Sequence, residues 1–239
     1  MQLIQEARIH SSWQPFLTES IVNQLHSIAL QLTKGTAYTP PSPQVLRFME
    51  FPLPRLRAII LGQDPYPQAG AATGRAFEVG HLTSWHQAFR NTSLQNIVRA
   101  AVEADYGHLW KFSEIRAKLG KNLSILPPRE LFDYWEEQGV LMLNTSFSCG
   151  LNQPNSHSAI WIDFTRSLLT FLASYKAETV WFLWGEPAKR SVESLKGLRK
   201  VERYHPSRCY PRSGDFLFSG KNVFKESNLS INWTGYSSR

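Results

Sequence analysis

The chain has little cysteine, fewer acidic than basic residues, and no long apolar run. Its two cysteines, Cys149 and Cys209, lie far apart. They make no CxxC pair and no disulfide framework, as expected in a reducing compartment. The seven histidines show no HExxH spacing, and the HxE…PCxxC pattern of zinc deaminases is missing. These absences argue against a metal enzyme, and no cofactor is expected. No apolar stretch approaches the length of about 20 residues that a membrane span needs. The first residues, MQLIQEARIHSSW, hold no apolar core of a secretory signal. The expected location is the cytoplasm, or the nucleus in a eukaryotic or viral-host setting, with no membrane partner. There is no internal repeat and no low-complexity tract, and the Pro-rich turn TPPSPQ (Thr39 to Gln44) is too short to link domains. A single domain over residues 1–239 is expected. The GxSxG serine elbow is absent, and GAATGR (Gly70 to Arg75) lacks the Gly-Lys-Ser/Thr ending of a phosphate loop, so it reads as a turn.

What is present is basic charge, unevenly placed. Lysine and arginine number 26 against 19 acids, for a net charge of +7 and a pI near 9.5. Between Arg199 and Lys225 stand seven basic residues against two acids, Glu202 and Asp215, which is +5 of the +7. A local basic excess in a turn-rich segment fits a polyanion, most simply nucleic acid; a solvated basic face is the plainer alternative.

Four short runs read as strands: Arg57–Leu61 (RAIIL), Val140–Asn144 (VLMLN), Thr179–Trp184 (TVWFLW) and Arg199–His205 (RKVERYH). The first three are almost continuously apolar, as in strands covered on both faces. The fourth alternates and suits a more exposed strand. Between them, Leu94, Ile97, Val98 and Ala101 follow helical spacing, with Asn91, Thr92 or Ser93 as N-cap and Gly107 beyond the end. Trp161, Phe164, Leu168, Phe171, Leu172 and Tyr175 make a second helical stripe, and Pro187 fits a first helical turn. Alternating strands and helices predict an α/β fold with a central, mainly parallel four-stranded sheet and helices on both faces.

Ligands of such sheets bind beyond the carboxyl ends of the strands. Those ends carry Gly62-Gln63-Asp64, Asn144, Gly185-Glu186 and His205-Pro206-Ser207. Each has a structural explanation: Asp64 starts a turn, Asn144 closes a strand, His205 is a surface histidine. Together on one rim they suit metal-free hydrolysis through a charge-separated state. The amide reads the edge of a base, the imidazole donates to a developing oxyanion, and the carboxylate orients water and stabilises a cationic sugar ring.

The run AIILGQDPY, followed in order by GRAFEV, TSLQNI, GVLMLNTSFS, NSH with Trp161 and Phe164-Thr165, VWFLWG, HPS, SGKNVFKESN and INW, resembles the uracil-DNA glycosylases that carry the GQDPYH motif (family 1). The resemblance covers nearly the whole chain. It implies a monomeric, metal-free DNA-repair enzyme of the three-layer glycosylase fold, acting on uracil in single- and double-stranded DNA and leaving an abasic site. A proteinaceous mimic of uracil DNA is an implied inhibitor. By this resemblance Asp64 positions water and stabilises the sugar cation, and His205 donates to uracil O2. Tyr66 excludes the thymine methyl, Phe77 stacks on the flipped base, and Asn144 bonds the polar edge. The Gln63 backbone helps hold uracil, and Ser93 and Ser207 grip phosphates.

The departures are as informative. Pro67 stands where the motif has a histidine that helps hold the attacking water, as in the similar poxviral branch; slower turnover is expected, since proline has no donor. After HPS the run RCYPRSGDFLF replaces the usual leucine wedge. Arg208, Cys209 and Tyr210 are the candidates to fill the gap left by the flipped base, and Tyr210 is favoured because a ring stacks. Glu186 is expected to turn outward as a helix N-terminal residue, and Arg90 in FRNTS to meet a phosphate. Two other readings compete: a catalytically weak DNA-binding or interaction module on the same fold, and a glycosylase with shifted base choice.

Overall fold

A computed structural model of the chain describes residues 2–236. In chain order the elements are α1 (Gln2–Glu6), α2 (Glu19–Lys34), β1 (Tyr38–Thr39), α3 (Ser42–Val45), β2 (Ala58–Gly62), α4 (Thr92–Tyr106), α5 (Phe112–Lys118) and α6 (Pro128–Glu137). Then follow β3 (Val140–Asn144), β4 (Cys149–Gly150), α7 (Ser158–Tyr175), β5 (Val180–Trp184), α8 (Glu186–Ser191), β6 (Arg199–Arg203) and α9 (Val223–Glu226). The main sheet has the order β3-β2-β5-β6, and all three pairings are parallel. A separate antiparallel pair joins β1 to β4.

The apolar strands are continuous in sequence because each face of the sheet has its own core. Ala58, Ile60, Val140, Met142, Val180, Phe182 and Trp184 point into one, with side chains of α4, α5, α6 and α9. The alternate residues Ile59, Leu61, Leu141, Leu143, Trp181 and Leu183 point into the other, with α2, α3, α7 and α8. This is the period-2 geometry of a sheet buried on both sides. Helix α2 shows the matching periodicity: Ile21, Leu25, Ile28 and Leu32 are buried, and the Thr18 hydroxyl accepts from the Ile21 N–H at 3.5 Å at its start. Helix α4 ends at Gly107, whose φ of 73° closes it in the left-handed region.

The α/β expectation with helices on both faces holds, with corrections at element ends. The first strand runs one residue further than expected, to Gly62. The fourth stops at Arg203, so His205 lies two residues past it, and only Val201 of that edge strand is buried. The segment Thr39 to Gln44 is not one turn: Thr39 belongs to β1, and Ser42 to Gln44 belong to α3. Asn91 occupies the cap position of α4 without a side-chain capping bond. GAATGR forms turns, as expected, with Gly70 and Gly74 at positive φ. No helix among the described residues is long and apolar enough to cross a membrane.

Candidate active site

The chain leaves β2 toward β3 on one side of the sheet and leaves β5 toward β6 on the other. The carboxyl ends of β2 and β5 therefore flank the switch in strand order, where open parallel sheets bind ligands. A cleft of about 220 Å³ opens there. It is smaller than the roughly 300–1,000 Å³ typical of sites for drug-sized ligands, and suits a single heterocycle. Gln63, Asp64, Tyr66, Phe77, Asn144 and His205 all line it, as do Pro67 and Ser93.

Two glycines make room for the polar groups. A Cβ on Gly62 would lie 2.4 Å from Asn144 Oδ1 and 2.9 Å from the Ala76 Cβ. The Asn144 amide thus packs across the backbone of β2, directly beside its register partner Gly62. Asn144 is buried. Gly185, at φ 93°, follows β5, and its missing Cβ would meet that of His205 at 3.1 Å. The loops after β2 and β3 are stitched together: Thr145 and Ser146 donate backbone N–H bonds to the Gly62 and Gln63 carbonyls at 3.1 and 2.9 Å.

Asp64 is held from a distant part of the chain. Its Oδ2 accepts the Asn155 backbone N–H at 2.7 Å, and the Asn155 side-chain oxygen accepts from Gln63 Nε2 at 2.8 Å. Asn155 sits at φ 67°, a conformation asparagine tolerates better than most residues. Burial raises the Asp64 pKa above the ordinary 3.8, and the Asn155 N–H works against that rise. The carboxylate is held in a partly desolvated state.

His205 has a fixed tautomer. Its Nδ1 accepts the Ser207 backbone N–H at 3.2 Å and lies 2.9 Å from the Ser207 hydroxyl. A backbone N–H only donates, so Nδ1 carries no proton and Nε2 carries the donor hydrogen. His205 is exposed as a residue, yet the atoms packed around it depress its pKa below 6.5 by desolvation. The imidazole is therefore neutral at pH 7. The loop that carries it is anchored to α4, where Asn96 donates to the Pro206 carbonyl at 2.6 Å.

Tyr66 and Phe77 form the aromatic walls. The Tyr66 hydroxyl donates to the Phe77 carbonyl at 3.4 Å, and burial pushes its pKa to about 12, so the phenol stays neutral. The Phe77 ring is 5.6 Å from Trp184 and 6.2 Å from His205 between centroids. Its φ is 66°, which costs a bulky side chain about 1–3 kcal/mol and persists only where surrounding contacts enforce it. The Pro67 carbonyl accepts from the Asn152 N–H at 2.9 Å, and its ring adds no donor to the cleft.

At the rim, Glu186 is the exposed first residue of α8 and pairs with Lys189 at 3.0 Å, as its outward turn required. Arg208 is exposed, and Tyr210 is exposed at 50%. Cys209, the third wedge candidate, is instead half-buried against Asn96 and the Pro206 carbonyl. The Arg212 guanidinium sits 3.6 Å from the Tyr204 ring and 4.1 Å from the Tyr210 ring. Buried Asp215 accepts the backbone N–H groups of Tyr210, Leu217 and Phe218 at 3.1, 2.9 and 3.1 Å. The loop is thus built rather than loose.

No protein-family model matches the chain. A uracil-DNA glycosylase of Mycolicibacterium gilvum is 32% identical over 212 residues, covering 88% of this chain and 84% of the relative. The chain belongs to the uracil-DNA glycosylases. Uracil-DNA glycosylase 1 of Bacteroides fragilis is 30% identical over 95% of this chain and 96% of its own length. Among solved structures, the UNG of Nitratifractor salsuginis aligns with a TM-score of 0.69 at 28% identity, over 86% of this chain and 87% of that one. The mimivirus uracil-DNA glycosylase shares the fold, with a TM-score of 0.67 at 21% identity over 87% of this chain and 72% of its own; its Y322L variant is solved in complex with UGI.

Three features of this glycosylase's cleft had no role assigned from sequence. Asn155 lies in the NSH motif, but its bond to Asp64 spans 91 positions. Gly62 read only as a strand end. Arg75 read only as part of GAATGR and GRAFEV and Glu78 only as part of GRAFEV, although their spacing of three was a signal of an ion pair.

Proposed function

We propose that the chain hydrolyses the N-glycosidic bond of deoxyuridine flipped out of DNA, by the chemistry of the GQDPYH branch with proline in the last motif position. The observation that carries this reading is the meeting of Asp64, Tyr66, Phe77, Asn144 and His205 around one ring-sized cleft. Uracil enters edge-on to Asn144, whose amide NH2 donates to O4 and whose oxygen accepts from N3–H. Cytosine presents the reverse pattern and leaves the buried amide mispaired. The Tyr66 ring stands beside C5, where a thymine methyl clashes. Phe77 stacks on the base and offsets part of the few kcal/mol that flipping costs.

The C1′–N1 bond then breaks with its electron pair leaving on uracil. His205 Nε2–H donates to the O2 on which that charge collects, an electrostatic term aimed at the transition state. Asp64 faces the cationic sugar and takes the proton of the water that adds to C1′. Pro67 supplies no second hold on that water, so turnover is slower than with histidine there. Ser93, Ser207, Arg208 and Arg90 contact phosphates, and Tyr210 fills the gap in the duplex. The substrate is uracil in single- or double-stranded DNA, handled by one domain acting as a monomer. A protein mimic of uracil DNA is a candidate inhibitor; the mimivirus variant solved in complex with UGI supports this.

The test is a panel of oligonucleotides carrying U, T, hypoxanthine or xanthine, single- and double-stranded, incubated with EDTA. Abasic product from U alone supports the reading. Product from another base in preference to U points to shifted base choice, and no product at all points to a DNA-binding module.

A further inference from the structure

Phe77 stands out among residues at positive φ. The other described non-glycine residues there, Asn152, Asn155 and Asn228, are all asparagines, the type best suited to that region. A phenylalanine needs its neighbours to hold it, and the contacts on either side of it are ionic. Arg75, two residues before Phe77, donates from Nη1 to Glu78 at 3.2 Å, one residue after it. The other end of the same guanidinium reaches Asp133 at 2.6 Å and also pairs with Glu136, both on α6. The Thr73 hydroxyl donates to Glu78 at 2.5 Å and accepts the Arg75 N–H at 3.3 Å. Arg47 donates to the Thr73 carbonyl at 3.2 Å.

Arg75 and Glu78 side chains are each 5% exposed, and Arg75 also reaches the wall of the cleft. Burial disfavours the charged guanidinium, but the neighbouring Glu136, Glu78 and Asp133 outweigh it and raise its pKa above the ordinary arginine value. A buried cation joining three carboxylates, Glu78 on the turn and Asp133 and Glu136 on α6, fixes geometry that a hydrophobic filler does not, because its planar fork is directional.

We propose that Arg75 is a positioning residue for uracil recognition: with Glu78, Asp133 and Glu136 it clamps the 73–78 turn, holding Phe77 in its left-handed conformation with the ring against the base. The inference rests on the stacking role given to Phe77. Arg75 touches no reacting atom; it acts through Phe77.

The test is a double-mutant cycle of Arg75→Met and Phe77→Ala, read as kcat/KM on a single-stranded uracil oligonucleotide and as the inhibition constant of free uracil. The expected result is that Arg75→Met lowers kcat/KM and weakens free uracil by about tenfold or more in the parent, but by no more than about twofold in the Phe77→Ala background. A role in stability alone costs the same in both backgrounds; equal losses, or a loss under about twofold in the parent, overturn the proposal. If Phe77→Ala itself keeps parental activity and uracil affinity, the stacking reading falls and the clamp with it. If it is impaired while Arg75→Met is additive, only the clamp falls. Should Arg75→Met not fold, Asp133→Asn reads the same cycle, since the Asp133 side chain is 45% exposed.

Discussion

Replacing Gly62 with alanine is expected to disable uracil recognition through Asn144 without touching any group proposed to grip phosphates. The new Cβ would lie 2.4 Å from Asn144 Oδ1, about 1 Å inside the 3.4 Å at which ordinary contact begins. The amide has to yield, because the second obstacle, Ala76 Cβ at 2.9 Å, belongs to a buried residue with no torsion to turn. A misplacement of about 1 Å at a recognition group costs up to about 100-fold in rate. A fall of roughly 10- to 100-fold in kcat/KM on a uracil oligonucleotide is therefore predicted. Overpacking costs about 1–3 kcal/mol, which for a chain of this size lowers Tm by roughly 2–12 °C. Affinity for uracil-free duplex stays at the parental value, since the phosphate-facing residues are unmoved. Gly35→Ala is the control: it has φ −85° and Cβ contacts of 3.5 and 3.6 Å, and is expected to leave kcat/KM unchanged. If Gly62→Ala keeps kcat/KM within about twofold of the parent, the placement of Asn144 as the base-reading group is wrong.

Other outcomes follow from the same geometry. Asp64→Asn is expected to raise Tm at pH 7 while abolishing excision. Burial raises the Asp64 pKa in the folded protein, so its ionisation costs stability that is lost as pH rises through the folded value and is fully regained below pH 3.8; a lower Tm for the variant refutes this. His205, with its pKa depressed by burial, contributes stability above pH 6.5 that is lost as pH falls through the folded value. Nitrogen NMR is expected to show it titrating below 6.5 from the Nε2–H tautomer; an Nδ1–H form would contradict the assignment. Pro67→His is expected to raise the single-turnover rate, and an unchanged rate removes the explanation for slow turnover. Tyr210→Ala is expected to impair cutting of duplex uracil more than of single-stranded uracil; equal effects exclude it as the wedge.

The parts of this structure that the sequence made legible are those set by local pattern. Runs such as VLMLN announce a strand buried on both faces, and Asn144 closes it as expected. The rim of Gln63, Asp64, Asn144 and His205 followed from the rule that parallel sheets bind beyond their carboxyl ends. What stayed hidden depends on contacts between distant segments. The hold of Asn155 on Asp64 spans 91 positions and the tie of Arg75 to Asp133 spans 58; no periodicity encodes either. The strained φ of Phe77 is likewise invisible, because neither it nor its flanking residues, Ala76 and Glu78, is a glycine or asparagine that would mark a left-handed position. Short elements such as β1, with two residues, carry too little pattern to separate from a Pro-rich turn.

In the proposed reaction this cleft excises uracil through Asp64. That reaction is tested most directly by a time course of abasic-site formation on a single-stranded uracil oligonucleotide in EDTA, with the parent and Asp64→Asn proteins side by side. Abasic product is expected with the parent, and a rate at least about 100-fold lower with the variant. No product from the parent, or equal rates for the two, would contradict it.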